Sequence, residues 1–229
     1  MKVAALQMVS GPDVAANLAT ARRLLEQAAA QGARLAALPE YFCLMGQHDS
    51  DKLAVAEAEG SGPMQAMLAS AARELGLWVI GGTLPLRTDR ADRVRNTTLV
   101  FSPTGACVAR YDKIHLFAFD NGRESYDEGR VLEAGSTPTR FEAEDVAVGL
   151  SVCYDLRFPE LYRAYAGASL LAVPAAFTYT TGEKHWELLL RARAVENQCY
   201  VIAPAQGGRH PNGRRTWGHS MVVDPWGEV

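Results

Sequence analysis

A chain of 229 residues with 48% hydrophobic and 21% charged content can bury a sizeable core in one large domain or two small ones. Its formal net charge of −3 excludes the electrostatic footprint of a nucleic-acid-binding protein, so the pairs Arg22-Arg23 and Arg214-Arg215 read as solvated surface pairs. No apolar run approaches the roughly 18 residues of a membrane span, and the N-terminal run is too short for a secretory signal.

Val3–Met8 reads as a buried strand. Asp13 can cap a helix to about Ala30, with Val14, Leu18, Ala21, Leu25 and Ala28 on one face, and Gly32 ends it. Leu35–Leu38 is a second strand, stopped by Pro39. Pro63 opens a helix to about Leu75, followed by a strand at Leu77–Gly82. Asn96–Phe101 and Cys107–Tyr111 flank a hairpin turn at Ser102-Pro103-Thr104-Gly105, and a long irregular segment runs from Asp112 to Pro138. The alternation then resumes: strand Val146–Val152, a helix from Pro159 to Tyr165, strand Leu170–Val173, a helix over Glu183–Asn197, and strands at Cys199–Pro204 and Gly218–Val223. Two β/α blocks with antiparallel hairpins between them predict a layered α/β sandwich. Trp226-Gly227 reads as a turn, which predicts a further strand beyond Val229.

The four cysteines lie far apart with no CxxC pair, and reduced thiols in the cytoplasm are the expectation. No two histidines stand at the i, i+4 spacing of a helical zinc site, so no metal is expected. No glycine-rich phosphate loop is present either.

Three strand ends carry reactive side chains. Glu40 follows Leu35–Leu38 in apolar and aromatic company, where burial would raise its carboxyl towards neutrality and let it give and take a proton. Its alternative is a strand-end carboxylate that is solvated or paired with an arginine. Lys113, next to Asp112, could hold a positive charge beside a developing oxyanion, or could be an exposed strand-end lysine. Cys153 ends a seven-residue strand and precedes a turn and the helix opened by Pro159, a strand-to-helix elbow whose free N–H groups favour a thiolate and an oxyanion. Cys43, Cys107 and Cys199 read as small hydrophobes. His115 reads as a structural hydrogen-bonding histidine.

The strings Leu38-Pro39-Glu40, Asp112-Lys113-Ile114-His115-Leu116 and Cys153-Tyr154-Asp155-Leu156-Arg157-Phe158-Pro159-Glu160 resemble the signature of the nitrilase-like carbon–nitrogen hydrolases. The likeness continues through Thr181–Glu187 and Arg191–Asn197, and His210–Gly227 is most similar to the deaminated glutathione amidase branch, with omega-amidases as neighbours. The resemblance implies one domain over residues 1–229, folded as a four-layer α-β-β-α sandwich, at least dimeric and without cofactor. It implies hydrolysis of the amide of a small carboxylate-bearing substrate through a cysteinyl thioester, with release of ammonia. Glu40 would be the base, Lys113 and the Tyr154 N–H the oxyanion donors, and Cys153 the nucleophile. A second glutamate is implied in the long loop: Glu128 matches it, and Glu124 competes. Phe177 and Thr178 would line the pocket. Arg157 would meet a substrate carboxylate or serve as a structural ion-pair partner.

Ala118, Asn121-Gly122 and Glu133-Ala134-Gly135 depart from the branch pattern, all in the loop that shapes the pocket. Two other readings remain. A papain-like pair would use His115, His185 or His219 and leave Glu40 and Lys113 without a task. A non-catalytic binding module would have no reason to keep all three reactive groups.

Overall fold

The computed structural model describes residues 1–122 and 125–229. The first half builds a sheet from β1 (Val3–Ala5), β2 (Leu35–Ala37), β3 (Trp78–Ile80), β4 (Leu84–Arg87), β5 (Val94–Phe101) and β6 (Cys107–Asp112). Its order is β1-β2-β3-β5-β4, with β6 also pairing β5, and the β1-β2-β3 portion is parallel. Helices α1 (Val14–Ala30), α2 (Asp51–Val55) and α3 (Pro63–Leu75) complete this half. The expected punctuation is present: the Asp13 carboxylate accepts from the Ala16 N–H at 3.1 Å, Pro63 opens α3, and Gly76 closes it with a φ of 63°. Helix α2 and strand β4 have no counterpart in the sequence reading, because α2 is a single short turn and β4 carries Pro85.

The long irregular segment holds more than a loop. Strands β7 (Ala118–Asp120) and β8 (Ser125–Asp127) form a hairpin, and a 3-10 turn follows at Glu128–Arg130. The second sheet, ordered β15-β12-β11-β10-β9, comprises β9 (Arg140–Ala143), β10 (Val146–Leu150), β11 (Leu170–Ala172), β12 (Tyr200–Ala203) and β15 (Met221–Val223). Between β10 and β11 lie a 3-10 turn, Cys153–Arg157, and helix α4 (Pro159–Arg163). Helix α5 spans Tyr179–Asn197, starting four residues before the expected Glu183. A separate hairpin pairs β13 (Gly207–Arg209) with β14 (Arg215–Trp217).

Side-chain alternation separates the layers. Leu35, Ala37, Ile80 and Val100 of the first sheet share a core with the second sheet and with Trp186 and Leu190 of α5. Ala36, Val79, Leu99 and Phe101 face the other way, onto Leu25 of α1 and Leu68 of α3. The result is the four-layer α-β-β-α sandwich. Parallel strands of both sheets deliver the chain to one edge, and Glu40, Lys113 and Cys153 all follow strands that end there. No helix of the described residues is long and apolar enough to cross a membrane.

Candidate active site

Glu40 is set by the close approach of two strand ends. Gly82, with φ +43°, passes so near the Pro39 carbonyl oxygen that a Cβ there would sit 2.1 Å from it. The neighbouring Tyr41 N–H donates to Thr83 Oγ1 at 2.8 Å, and Gln206 Nε2 donates to the Glu40 carbonyl at 3.1 Å. The carboxylate is 1% exposed. Its Oε1 accepts from Lys113 Nζ at 3.0 Å and from Asn96 Nδ2 at 2.9 Å, and its Oε2 accepts from the Ala176 N–H at 2.9 Å.

Lys113 leaves β6 with its backbone held on both sides, its N–H on the Asn96 carbonyl at 3.0 Å and its carbonyl accepting from Gly135 at 2.8 Å. Its ammonium also donates to both oxygens of Glu128, at 3.0 and 2.8 Å. Glu128 in turn accepts from the Tyr41 hydroxyl at 2.8 Å and the Phe117 N–H at 2.7 Å. Glu128 thus lies in the cleft against Lys113; Glu124 lies outside the described residues.

Cys153 stands on the elbow with a φ of 50°, left-handed for a residue that carries a Cβ. Its N–H bonds the Pro174 carbonyl at 2.9 Å, and Cys153 lines the same cleft as Glu40. The Tyr154 N–H, at the start of the 3-10 turn, has no partner within that turn and is available by position. Buried Asp155 holds the elbow, accepting from the Val152 N–H at 2.8 Å, the Tyr111 hydroxyl at 2.7 Å and the His115 N–H at 3.0 Å. The His115 ring contacts the same carboxylate at 2.7 Å and stacks on Phe158, which makes it a structural residue.

Two carboxylates and a thiol share one ammonium, and the electrostatics follow. Burial pushes the Glu40 carboxyl above its ordinary range; Lys113 opposes this, and the charge of Glu128 adds to it. Burial acts to lower Lys113, but Glu128 and Glu40 outweigh it and hold the ammonium firmly charged. Burial and then the Glu40 charge push the Cys153 thiol well up, more than Lys113 and the Ala176 N–H pull it down. The resting group is therefore a thiol beside a base.

The cleft has two lobes that meet at Cys153. The first reaches from Glu40 and Glu128 to Asp49, Tyr126, Arg214 and Arg215. The second contains Tyr154, Arg157, Phe177 and Thr178. Arg157 bonds the His185 ring at 3.2 Å and lies over the rings of Tyr154 and Phe177; among the described residues it has no carboxylate partner. The ion-pair alternative for Arg157 thus has no support among those residues. Thr178 stands at the N-terminal boundary of α5, its hydroxyl bonded to that of Thr181 at 2.8 Å. Arg214, half-buried, and Arg215, exposed, remain at the surface, and both line the first lobe. Asn96 was not singled out in the sequence, and only its pairing across β5 and β6 brings it to Glu40.

A strained elbow cysteine beside a buried carboxylate and ammonium is the arrangement of a covalent acyl-transfer hydrolase. The carbon–nitrogen hydrolase family model matches residues 2–229, and the chain belongs to that family. It is an enzyme of the amidase type. The deaminated glutathione amidase of Synechocystis is 41% identical over 99% of this chain and 85% of that protein. The human omega-amidase is 39% identical over 93% of this chain and 77% of its own length. Among solved structures, an amidase from Nesterenkonia, a member of the nitrilase superfamily, superposes with a TM-score of 0.85 at 28% identity. That match covers 100% of this chain and 87% of the other, which carries acrylamide added to its active-site cysteine.

Proposed function

We propose that this chain, as one domain over residues 1–229, hydrolyses the amide of a small carboxylate-bearing substrate through a cysteinyl thioester, with deaminated glutathione as substrate. The observation that carries the reading is Cys153, on its left-handed elbow, lining one cleft with Glu40, whose carboxylate lies 3.0 Å from the Lys113 ammonium. Glu40 takes the thiol proton as sulfur attacks the carbonyl carbon. Lys113 Nζ and the Tyr154 N–H meet the oxyanion. The C–N bond then breaks, and Glu40 returns the proton to the departing nitrogen. Water deprotonated by Glu40 cleaves the thioester, releasing the acid and restoring the thiol. Glu128 holds Lys113 in place throughout.

Deaminated glutathione is the 2-oxo analogue of glutathione, so its amide nitrogen belongs to a cysteinylglycine half. The amine released from it is that dipeptide, and ammonia is the product only from a primary amide such as 2-oxoglutaramate. Arg157, with Phe177 and Thr178 beside it, supports a carboxylate site for the acyl half in the second lobe. The deciding measurement sets cysteinylglycine release from deaminated glutathione beside ammonia release from 2-oxoglutaramate. The first is expected to dominate, and a strong preference for the second would select the omega-amidase reading that the human relative supports. In Cys153→Ala no acyl-enzyme mass adduct should form with either compound; an adduct would refute the nucleophile.

The reading includes a homodimer or higher homo-oligomer in the cytoplasm. Leu188 and Val195 of α5 are 66% and 50% exposed, and Trp226 is 88% exposed, an apolar group suited to a second copy. The free cysteines, Cys107 exposed among them, suit a reducing compartment.

A further inference from the structure

The first lobe runs on past Glu40 and Glu128 to Arg214 and to Arg215 of β14. Glu40, the group that returns a proton to the departing nitrogen, lines this lobe and does not line the lobe of Arg157. Whatever is attached to that nitrogen therefore extends into the first lobe, towards the wall formed by β14. The isolated bridge between Thr178 and Thr216 sets that wall across from the floor the two lobes share.

The wall carries surplus positive charge. Asp49 is one carboxylate shared by two cations, Lys52 at 3.1 Å and Arg214 at 2.9 Å. Asp127, the other carboxylate near the rim, pairs with Arg130 at 3.3 Å, and Glu128 is taken up by Lys113. Arg214 is further held over the Tyr126 ring at 5.2 Å. Arg215 has no carboxylate partner among the described residues, and its guanidinium lies 3.5 Å from the centroid of the Tyr179 ring. Stacking occupies the face of a guanidinium and leaves its in-plane N–H donors pointing outward, the edge that grips a carboxylate.

We propose that Arg215, with Arg214 fixed beside it, forms a second anion site that binds the terminal carboxylate of the leaving amine. The preferred substrate is then an amide with a carboxylate at each end, one in each lobe, and Arg215 is a specificity-determining residue. This rests on the amidase reading for its chemistry, but its test does not require turnover. In Cys153→Ala protein, Kd is measured calorimetrically for two amides of 2-oxoglutarate, one of cysteinylglycine and one of cysteine ethylamide, in which a methyl group replaces the terminal carboxylate. The first is expected to bind about tenfold tighter, as for one charge-assisted contact. That advantage should shrink as salt is raised and vanish when Arg215→Gln is added to Cys153→Ala. Equal Kd values in Cys153→Ala, or an advantage that survives Arg215→Gln, would overturn the anion site. Wild-type turnover of the same amides reports separately on the amidase reading.

Discussion

The Tyr111 hydroxyl, from the last strand of the first sheet, donates a 2.7 Å hydrogen bond to the buried carboxylate of Asp155, on the elbow of the second sheet. One bond thus ties the strand that delivers Lys113 to the turn that delivers Cys153. The same carboxylate receives the Val152 and His115 N–H groups, so it fixes the elbow from three directions.

Asp155→Ala strands those donors in a dry interior. Leaving buried donors unsatisfied costs about 1–3 kcal/mol each, less where the site relaxes. A loss of roughly 3–5 kcal/mol is expected, read as a fall in the urea midpoint at constant m-value. With the elbow no longer held at its positive φ, kcat should drop as well. A variant of wild-type stability would remove Asp155 from this role.

The acid limb of kcat/KM reports the free-enzyme base, and Glu40 must be ionised to act. Burial raises its carboxyl, so activity should fall on acidification at a pH above the ordinary carboxylate range. The charge of Glu128 raises Glu40 further, whereas Lys113 lowers it. Glu128→Gln should therefore move the limb to lower pH, and Lys113→Met to higher pH. Lys113→Met should also cost about 10²–10³ in kcat through the lost oxyanion donor. Shifts in the same direction for both variants would contradict the shared-ammonium arrangement.

The Cys153 thiol rests protonated, held up by burial and by the Glu40 charge. Alkylation of Cys153 by iodoacetamide, located by peptide mass spectrometry, should rise only at alkaline pH. Glu40→Gln removes the second of those causes, so its alkylation profile should move to lower pH even as amide turnover is lost. A profile unmoved by that substitution would show that Glu40 does not face the sulfur.

Much of the site was legible in the residues. Val146–Val152 is a mostly apolar run that leads into Cys153, followed by a turn and by Pro159, and that order alone marks an elbow. Glu40 after Pro39 and Lys113 after Asp112 could each be read as reactive or as bland. Their resemblance to a known signature, together with Cys153, resolved what no single segment could. Less was visible in the segment Asp112–Pro138, because the β7–β8 hairpin is three residues per strand and carries no apolar alternation strong enough to declare it. That Arg214 and Arg215 line the cleft was hidden for a related reason. A pair of charges next to Gly213 has the composition of a surface turn, and only the fold of β13 against β14 turns it towards the cleft.

The amino-acid order by itself determined the layer pattern, the strand-end placement of Glu40, Lys113 and Cys153, and the family, because those depend on periodicity and contiguous motifs. Tertiary structure alone decided that one ammonium serves two carboxylates, that the thiol stays protonated at rest, and that the cleft opens in two directions from the sulfur. Those properties arise from groups 15 to 136 positions apart meeting in a buried space, where desolvation and mutual charge govern behaviour that no local segment encodes.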